Sequence, residues 1–169
     1  KTKTRFKDLL IFESKIYPDK RGNVREAFKK NLINKGLFLS VVSKSKKNVI
    51  RGLHFQSKKT QDKFISVIKG RILDVVVDLR KNSKTFGQHF KIVLSEKKAK
   101  YLFVPKGFAH GFLCLSKECT VNYRCSQYRH KTSETTLFWK DKNVGIKWPV
   151  KKPILSDKDK KGKVLDFFK

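Results

Sequence analysis

Carboxylates are scarce in this chain: 14 Asp and Glu stand against 42 Lys and Arg in 169 residues, a formal net charge of +28. Cysteine is scarcer still. The three cysteines, Cys114, Cys119 and Cys125, form an odd set with no C-x-x-C pair. That argues against a disulfide framework and a thiolate zinc site and leaves them as small buried hydrophobes. Long apolar runs are missing too. None approaches the ~18–20 residues of a membrane span, and the apolar block in Lys1 to Phe12 is too short for a signal-peptide core. A soluble cytoplasmic protein without a membrane partner is expected.

What is present suffices for a core. Hydrophobic residues make up 38% of the chain, 14 of them Phe, and the length fits one compact domain of about 100–200 residues. One domain over residues 1–169 is therefore expected. The excess of cations raises a nucleic-acid reading, but they are dispersed in short groups such as Lys44-Ser45-Lys46-Lys47 and Lys97-Lys98-Ala99-Lys100. Scatter of this kind reads as general surface lysine, with a few cations available to a phosphorylated small molecule.

Periodicity points to an all-β fold. Leu37–Ser43 and Lys63–Leu79, the latter broken at Lys69-Gly70, are rich in Val, Ile, Leu and Phe. Shorter runs follow at Gln88–Leu94, Tyr101–Val104, Gly111–Leu115 and Cys119–Ser126, separated by turn residues. Many short strands at this spacing predict a β-sandwich or barrel. Helical character is confined to Arg25–Ile33 and the tail after Ser156.

The chemistry concentrates in Arg51-Gly52-Leu53-His54-Phe55-Gln56, then Gln61-Asp62-Lys63, Gly70, and Pro105-Lys106-Gly107-Phe108-Ala109-His110. This order resembles the two signature blocks of the cupin jelly roll. Metal cupins carry a second His where Gln56 stands and a Glu where Lys63 stands. A lysine in place of a carboxylate repels a divalent cation, so neither metal nor cofactor is expected. An imidazole, with an ordinary pKa near ~6.5, beside an ammonium group suits proton abstraction next to a carbonyl, the cation holding the enolate oxygen.

Further motifs recur in order along nearly the whole chain: Asp19-Lys20-Arg21-Gly22 with Glu26 and Phe28, Asp74 to Arg80 ending in Ser83-Lys84-Thr85-Phe86-Gly87, Tyr123 to Tyr128, Trp139-Lys140-Asp141 and Leu155 to Asp159. Together with the Arg51 and His110 blocks they resemble the dTDP-4-dehydrorhamnose 3,5-epimerase family. The resemblance implies a cupin-type jelly roll with short flanking helices. It also implies a cofactor-free homodimer that inverts C3, C5 or both of a nucleotide-linked 4-keto-6-deoxy sugar in deoxysugar supply for surface polysaccharide.

Residue by residue, the resemblance gives His54 the role of general base and Asp159 that of its carboxylate partner, with Asp157 as the neighbouring candidate. Lys63 corresponds to the enolate-stabilising lysine, and Tyr128 to the proton donor on the opposite ring face. Arg21 and Arg51 correspond to arginines near the diphosphate, the Arg21 loop reaching into a neighbouring subunit's site. Glu26 and Gln56 are expected among the substrate contacts, and His110 either orients the sugar or completes a hydrogen-bond network. His89 and His130 carry no motif, and Phe108, Phe112, Trp139 and Trp148 read as core.

Departures from the family pattern cluster on the nucleotide side. Leu39 and Val41 stand where a Gln and an Asn ordinarily reach toward the nucleotide, Val24 replaces an aromatic, and Arg129, His130 and Lys131 follow Tyr128. Apolar replacements remove base-reading hydrogen bonds, while Arg129 adds non-directional attraction for phosphate. A GDP-linked or other 4-keto sugar is thus the near alternative to the thymidine-linked one. A catalytically silent cupin or a basic nucleic-acid module is the alternative of another class.

Overall fold

A computed structural model describes residues 1–169. Thirteen strands follow in order: β1 (Thr2–Lys3), β2 (Leu10–Glu13), β3 (Ile16–Asp19), β4 (Gly22–Arg25), β5 (Leu39–Lys46), β6 (Ile50–Gln56), β7 (Lys63–Lys69), β8 (Arg71–Asp78), β9 (His89–Ser95), β10 (Lys100–Val104), β11 (Phe108–Cys114), β12 (Glu118–Cys125) and β13 (Glu134–Thr136). They build a six-stranded sheet, β1-β2-β10-β7-β12-β5, and a five-stranded sheet, β13-β6-β11-β8-β9. β3 and β4 pair only with each other, as a separate hairpin. The architecture is the cupin-like jelly roll, and every strand named for it in the sequence is present.

The Val- and Ile-rich runs follow from burial on both sheet faces. In β8, Ile72 and Val76 pack between the sheets with Phe6, Ile65, Leu102, Phe112 and Val121. Their neighbours Leu73, Val75 and Val77 face outward beneath Leu137, Val144, Ile146 and Phe168 of the C-terminal segment, with Trp139 and Trp148 against them. A third cluster, built on Phe12, Phe64, Tyr101 and Phe103, covers the outer face of the six-stranded sheet. All three cysteines are buried and free. The turn at Gly70 requires glycine, because its φ is +82° and a Cβ would lie 2.3 Å from the Glu118 carbonyl.

One expectation needs correction. Arg25–Ile33 is not a helix: Arg25 ends β4 and only Lys30–Leu32 forms a 3-10 turn. Its apolar residues Ala27, Phe28 and Ile33 pack on the third cluster, so tertiary contact overrides the helical pattern. The tail contributes a single helical turn, α1 (Asp157–Lys160), capped by the Ser156 side chain, and a 3-10 turn at Leu165–Phe168.

Candidate active site

A cavity of about 580 Å³ opens between the two sheets, and both walls contribute. β6 and β11 of the five-stranded sheet supply Arg51, His54 and His110, while β5, β7 and β12 of the six-stranded sheet supply Ser43, Lys63 and Tyr123. The tail, from Ile154 to Asp159, closes one side. β6 and β11 approach closely at Gly52, where a Cβ would sit 2.5 Å from the Gly111 Cα and φ is +127°. Only glycine permits that approach. It sets His54 opposite His110 in register, each on the cavity wall.

Each histidine has its own carboxylate. His54 Nε2 lies 2.7 Å from Asp159 Oδ1, and the second oxygen of Asp159 accepts from the Gly52 amide at 3.3 Å. Burial pushes the Asp159 carboxyl up, but the His54 contact, the Gly52 amide and the Ser156 hydroxyl outweigh it and hold it below the ordinary range. With Nε2–H donated to the carboxylate, neutral His54 keeps its lone pair on Nδ1. Asp157, the neighbouring candidate, is 89% exposed and pairs with Lys160. His110 Nε2 lies 3.0 Å from both oxygens of Asp74, deep between the sheets.

Lys63 lines the cavity without an ion-pair partner, and burial pulls its ammonium below the ordinary lysine range against the opposing charges of Glu134 and Asp74. Tyr123 faces it from the neighbouring strand, its hydroxyl 3.4 Å from Ser43 and its ring edge-on to His110 at 5.9 Å. Burial raises the Tyr123 phenol, which therefore keeps its proton at neutral pH. At the rim, Glu134 receives Arg129 at 2.6 Å and Lys158 at 2.8 Å. Burial favours its neutral form, but the two cations keep it ionised below the usual carboxylate range. No three His, Cys, Asp or Glu side chains form a metal-ligand group.

The remaining expected residues divide. Arg51 lines the cavity, fixed by Ser45 Oγ at 2.8 Å and the Lys44 carbonyl at 3.0 Å. Tyr128 does not reach it: its ring is 64% exposed and packs on Phe38 at 5.2 Å. The strand ends at Cys125, so the inward-facing phenol is Tyr123, in the alternation Cys119, Val121, Tyr123, Cys125. Gln56 lines the smaller chamber beside Lys63, with both of its amide atoms bonded to the protein. Its Nε2 donates to the Lys59 and Tyr128 carbonyls, its Oε1 accepts from the His130 amide, and it thereby holds the loop carrying Arg129. Arg21, 88% exposed, pairs with Asp19 on the β3–β4 hairpin, and Glu26 pairs with Lys29; neither lines this chain's cavity. His89 bonds the Val144 carbonyl and His130 the Ser133 hydroxyl, both structural. The Glu134–Lys158 pair escaped the sequence reading, as its residues come from distant segments and no local spacing signals them.

Comparison with known proteins puts this chain in a class of jelly-roll sugar-nucleotide isomerases. The family model described as dTDP-4-dehydrorhamnose 3,5-epimerase matches residues 3–166, and the chain belongs to that family. Among its relatives, the dTDP-4-dehydrorhamnose 3,5-epimerase of Methanothermobacter thermautotrophicus is 42% identical over 96% of this chain and 92% of that one. The crystal structure of RmlC from Legionella pneumophila, in complex with dTDP-4-keto-L-rhamnose, is 40% identical and superposes with a TM-score of 0.92 over 96% of this chain and 90% of that one. The Bacillus anthracis enzyme, with TDP and PPi bound, is also 40% identical with a TM-score of 0.92, covering 96% and 97%.

Proposed function

We propose that this protein converts dTDP-4-dehydro-6-deoxy-D-glucose to dTDP-4-dehydro-L-rhamnose, inverting C3 and C5 through enolates. The C4 ketone acidifies the hydrogens on both neighbouring carbons. His54 Nδ1 removes one of them, Lys63 holds the negative charge that develops on the C4 oxygen, and the Tyr123 hydroxyl returns a proton from the other face. The His54 imidazolium and Tyr123 phenolate then reset through solvent. Asp159 fixes the His54 tautomer and stabilises its cationic form. His110 and Ser43 complete the cavity wall.

The observation that carries this reading is the placement of His54 and Tyr123 on opposite sheets of one cavity, since inversion needs proton carriers on two ring faces. Charge supports it as well. Four cations, Arg51, Lys63, Arg129 and Lys158, line the cavity against two carboxylates, Glu134 and Asp159, a surplus suited to a diphosphate. Thymidine as the base rests on the relatives. Leu39 and Val41, which line the smaller chamber of about 150 Å³ beside Lys63, offer a base no hydrogen bond.

A homodimer belongs to the same reading. β5 is an edge strand with Val41 and Val42 exposed, and Tyr17 and Val24 form an exposed apolar cross-strand pair on the hairpin that bears Arg21. A second copy would cover both, with Arg21 reaching the partner's diphosphate. The protein is read as a cytoplasmic enzyme of one domain, needing no cofactor, nucleic acid or membrane; no helix is long and apolar enough to cross a membrane. The test is solvent deuterium uptake by NMR, with the GDP-linked analogue run beside the dTDP sugar. Exchange at both C3 and C5 of the dTDP sugar is expected. Uptake at one carbon alone makes the protein a mono-epimerase, faster uptake into the GDP sugar changes the base, and none in either refutes the reading.

A further inference from the structure

Away from the cavity, and sharing no lining residue with it, a cleft of about 440 Å³ is walled by Arg5, Lys7, Arg80 and Lys84 with Asn82 and two hydroxyl residues between them. No carboxylate and no apolar side chain contributes to this wall. The substrate cavity, by contrast, tempers its cations with Glu134 and Asp159. Arg5, Lys7 and Lys84 take part in none of the molecule's ion pairs, so like charges face one cleft uncompensated. Lys7 and Arg80 also line an adjoining cleft of about 500 Å³ of different character, where Lys1, Lys35 and Lys106 stand with Asp8 and Asp62 and with Leu10, Leu32, Ile33 and Phe103. The wall made of cations without carboxylates is thus confined to the first cleft, with Lys7 and Arg80 at its joint with the second.

The joint is rigid. Arg80 grips Asp78 through Nε at 2.8 Å and through a terminal nitrogen at 2.7 Å, gives another N–H to the Lys7 carbonyl at 3.1 Å, and lies over the Phe108 ring at 4.6 Å. Ser83 and Thr85 spend their hydroxyls on the same carboxylate, each at 2.6 Å, which pins the loop that carries Lys84. Three of the five guanidinium N–H donors are thus used, leaving two for a ligand. A pre-placed guanidinium fork flanked by free lysines is the chemistry of phosphate recognition.

We propose that the cleft of Arg5, Lys7, Arg80 and Lys84 binds a linear inorganic polyphosphate. Its four cations, with no carboxylate in the wall, match a chain with a charge on every unit. A single-stranded nucleic acid would also want aromatic faces for its bases, and the cleft holding Arg5 and Lys84 presents none. A protein or lipid partner would want apolar contact, which that cleft also lacks.

The experiment titrates the intact protein, its cavity saturated with TDP, with tripolyphosphate and with a longer polyphosphate by calorimetry. Saturable binding that weakens steeply between about 50 and 200 mM salt is expected, tighter for the longer chain. Lys7→Glu with Lys84→Glu is expected to lower affinity at least about tenfold while leaving epimerase turnover unchanged. Lys140→Glu with Lys142→Glu, an equal change of charge on exposed residues elsewhere, is expected to stay within about twofold. The proposal is overturned if the wild type shows no saturable binding, or if both double variants weaken it equally, which makes the attraction diffuse. It is also overturned if single-stranded RNA of matched charge binds the Lys7–Lys84 cleft as tightly as polyphosphate does.

Discussion

Two histidines, each with its own aspartate, stand in register on neighbouring strands of one sheet, and their surroundings separate them. His54 meets Asp159 at 2.7 Å with 32% of the imidazole side chain open to the cavity, while His110 meets Asp74 at 3.0 Å with both side chains almost wholly enclosed. Asp74 follows the inward alternation of Ile72 and Val76 on the fully covered strand β8, so its charge is held inside the fold. Asp159 arrives on a single helical turn from the tail. The same contact thus serves two ends. The open pair can exchange a proton with a substrate, and the enclosed pair ties two strands together.

The largest expected effects test that division directly. His54→Ala should lower turnover by at least about 10²–10⁴-fold, the worth of a positioned general base, while nucleotide-sugar binding, measured by calorimetry, survives. His110→Ala should instead lower stability by about 3–5 kcal/mol in urea unfolding, because it strands the Asp74 carboxylate in the interior. Were His110→Ala to leave the unfolding midpoint unchanged, or His54→Ala to retain deuterium uptake, the contrast between the pairs would fail.

A second contrast sets Tyr123 against Tyr128. Tyr123→Phe removes the hydroxyl facing the cavity and should slow epimerisation about 10²-fold while exchange begun by His54 persists. Tyr128→Phe, on the exposed ring beside Phe38, should change turnover less than about twofold. The reverse order would return the proton-donor role to Tyr128 and require the loop after β12 to fold inward.

Much of this was legible in the chain. β8 is buried on both faces, so its Val and Ile run announced it without ambiguity, and Arg51-Gly52-Leu53-His54 marked the imidazole proposed as base, on a strand where Gly52 is forced by contact with Gly111. The inward placement of Tyr123 was legible in principle, since it continues the alternation of Cys119 and Val121, while the motif that includes Tyr128 carries no information on which way its ring faces. The choice between Asp157 and Asp159 was not. It depends on which side of α1 faces β6, and that is set by packing of the tail far from either residue in sequence. The bonding of Gln56 was hidden for a related reason, since an amide two residues from His54 looks free until the His130 loop folds over it.

A smaller loss of turnover than in His54→Ala is expected at the link between the open pair and the backbone. The Asp159 carboxylate accepts from His54 Nε2 with one oxygen and from the Gly52 amide with the other. Asp159→Asn has only one acceptor oxygen, so one neighbour must meet an N–H donor instead. If the amide oxygen turns to Gly52, its NH₂ drives His54 to the tautomer with a proton on Nδ1, and the base loses its lone pair toward the cavity. If it turns to His54, the Gly52 amide is left facing a donor at the closest approach of β6 and β11. Turnover should fall about ten- to a hundredfold, below the loss in His54→Ala because the imidazole remains. The carboxyl is held low in the folded state, so its stabilisation is complete above the unfolded value near ~3.9 and is lost as pH falls through the folded one. Asp159→Asn should therefore flatten the acid limb of the stability curve below about pH 4 and leave stability near pH 7 lower than wild type, by an amount that thermal unfolding at the two pH values can read. An unchanged acid limb would mean that Asp159 contributes to catalysis without anchoring the tail.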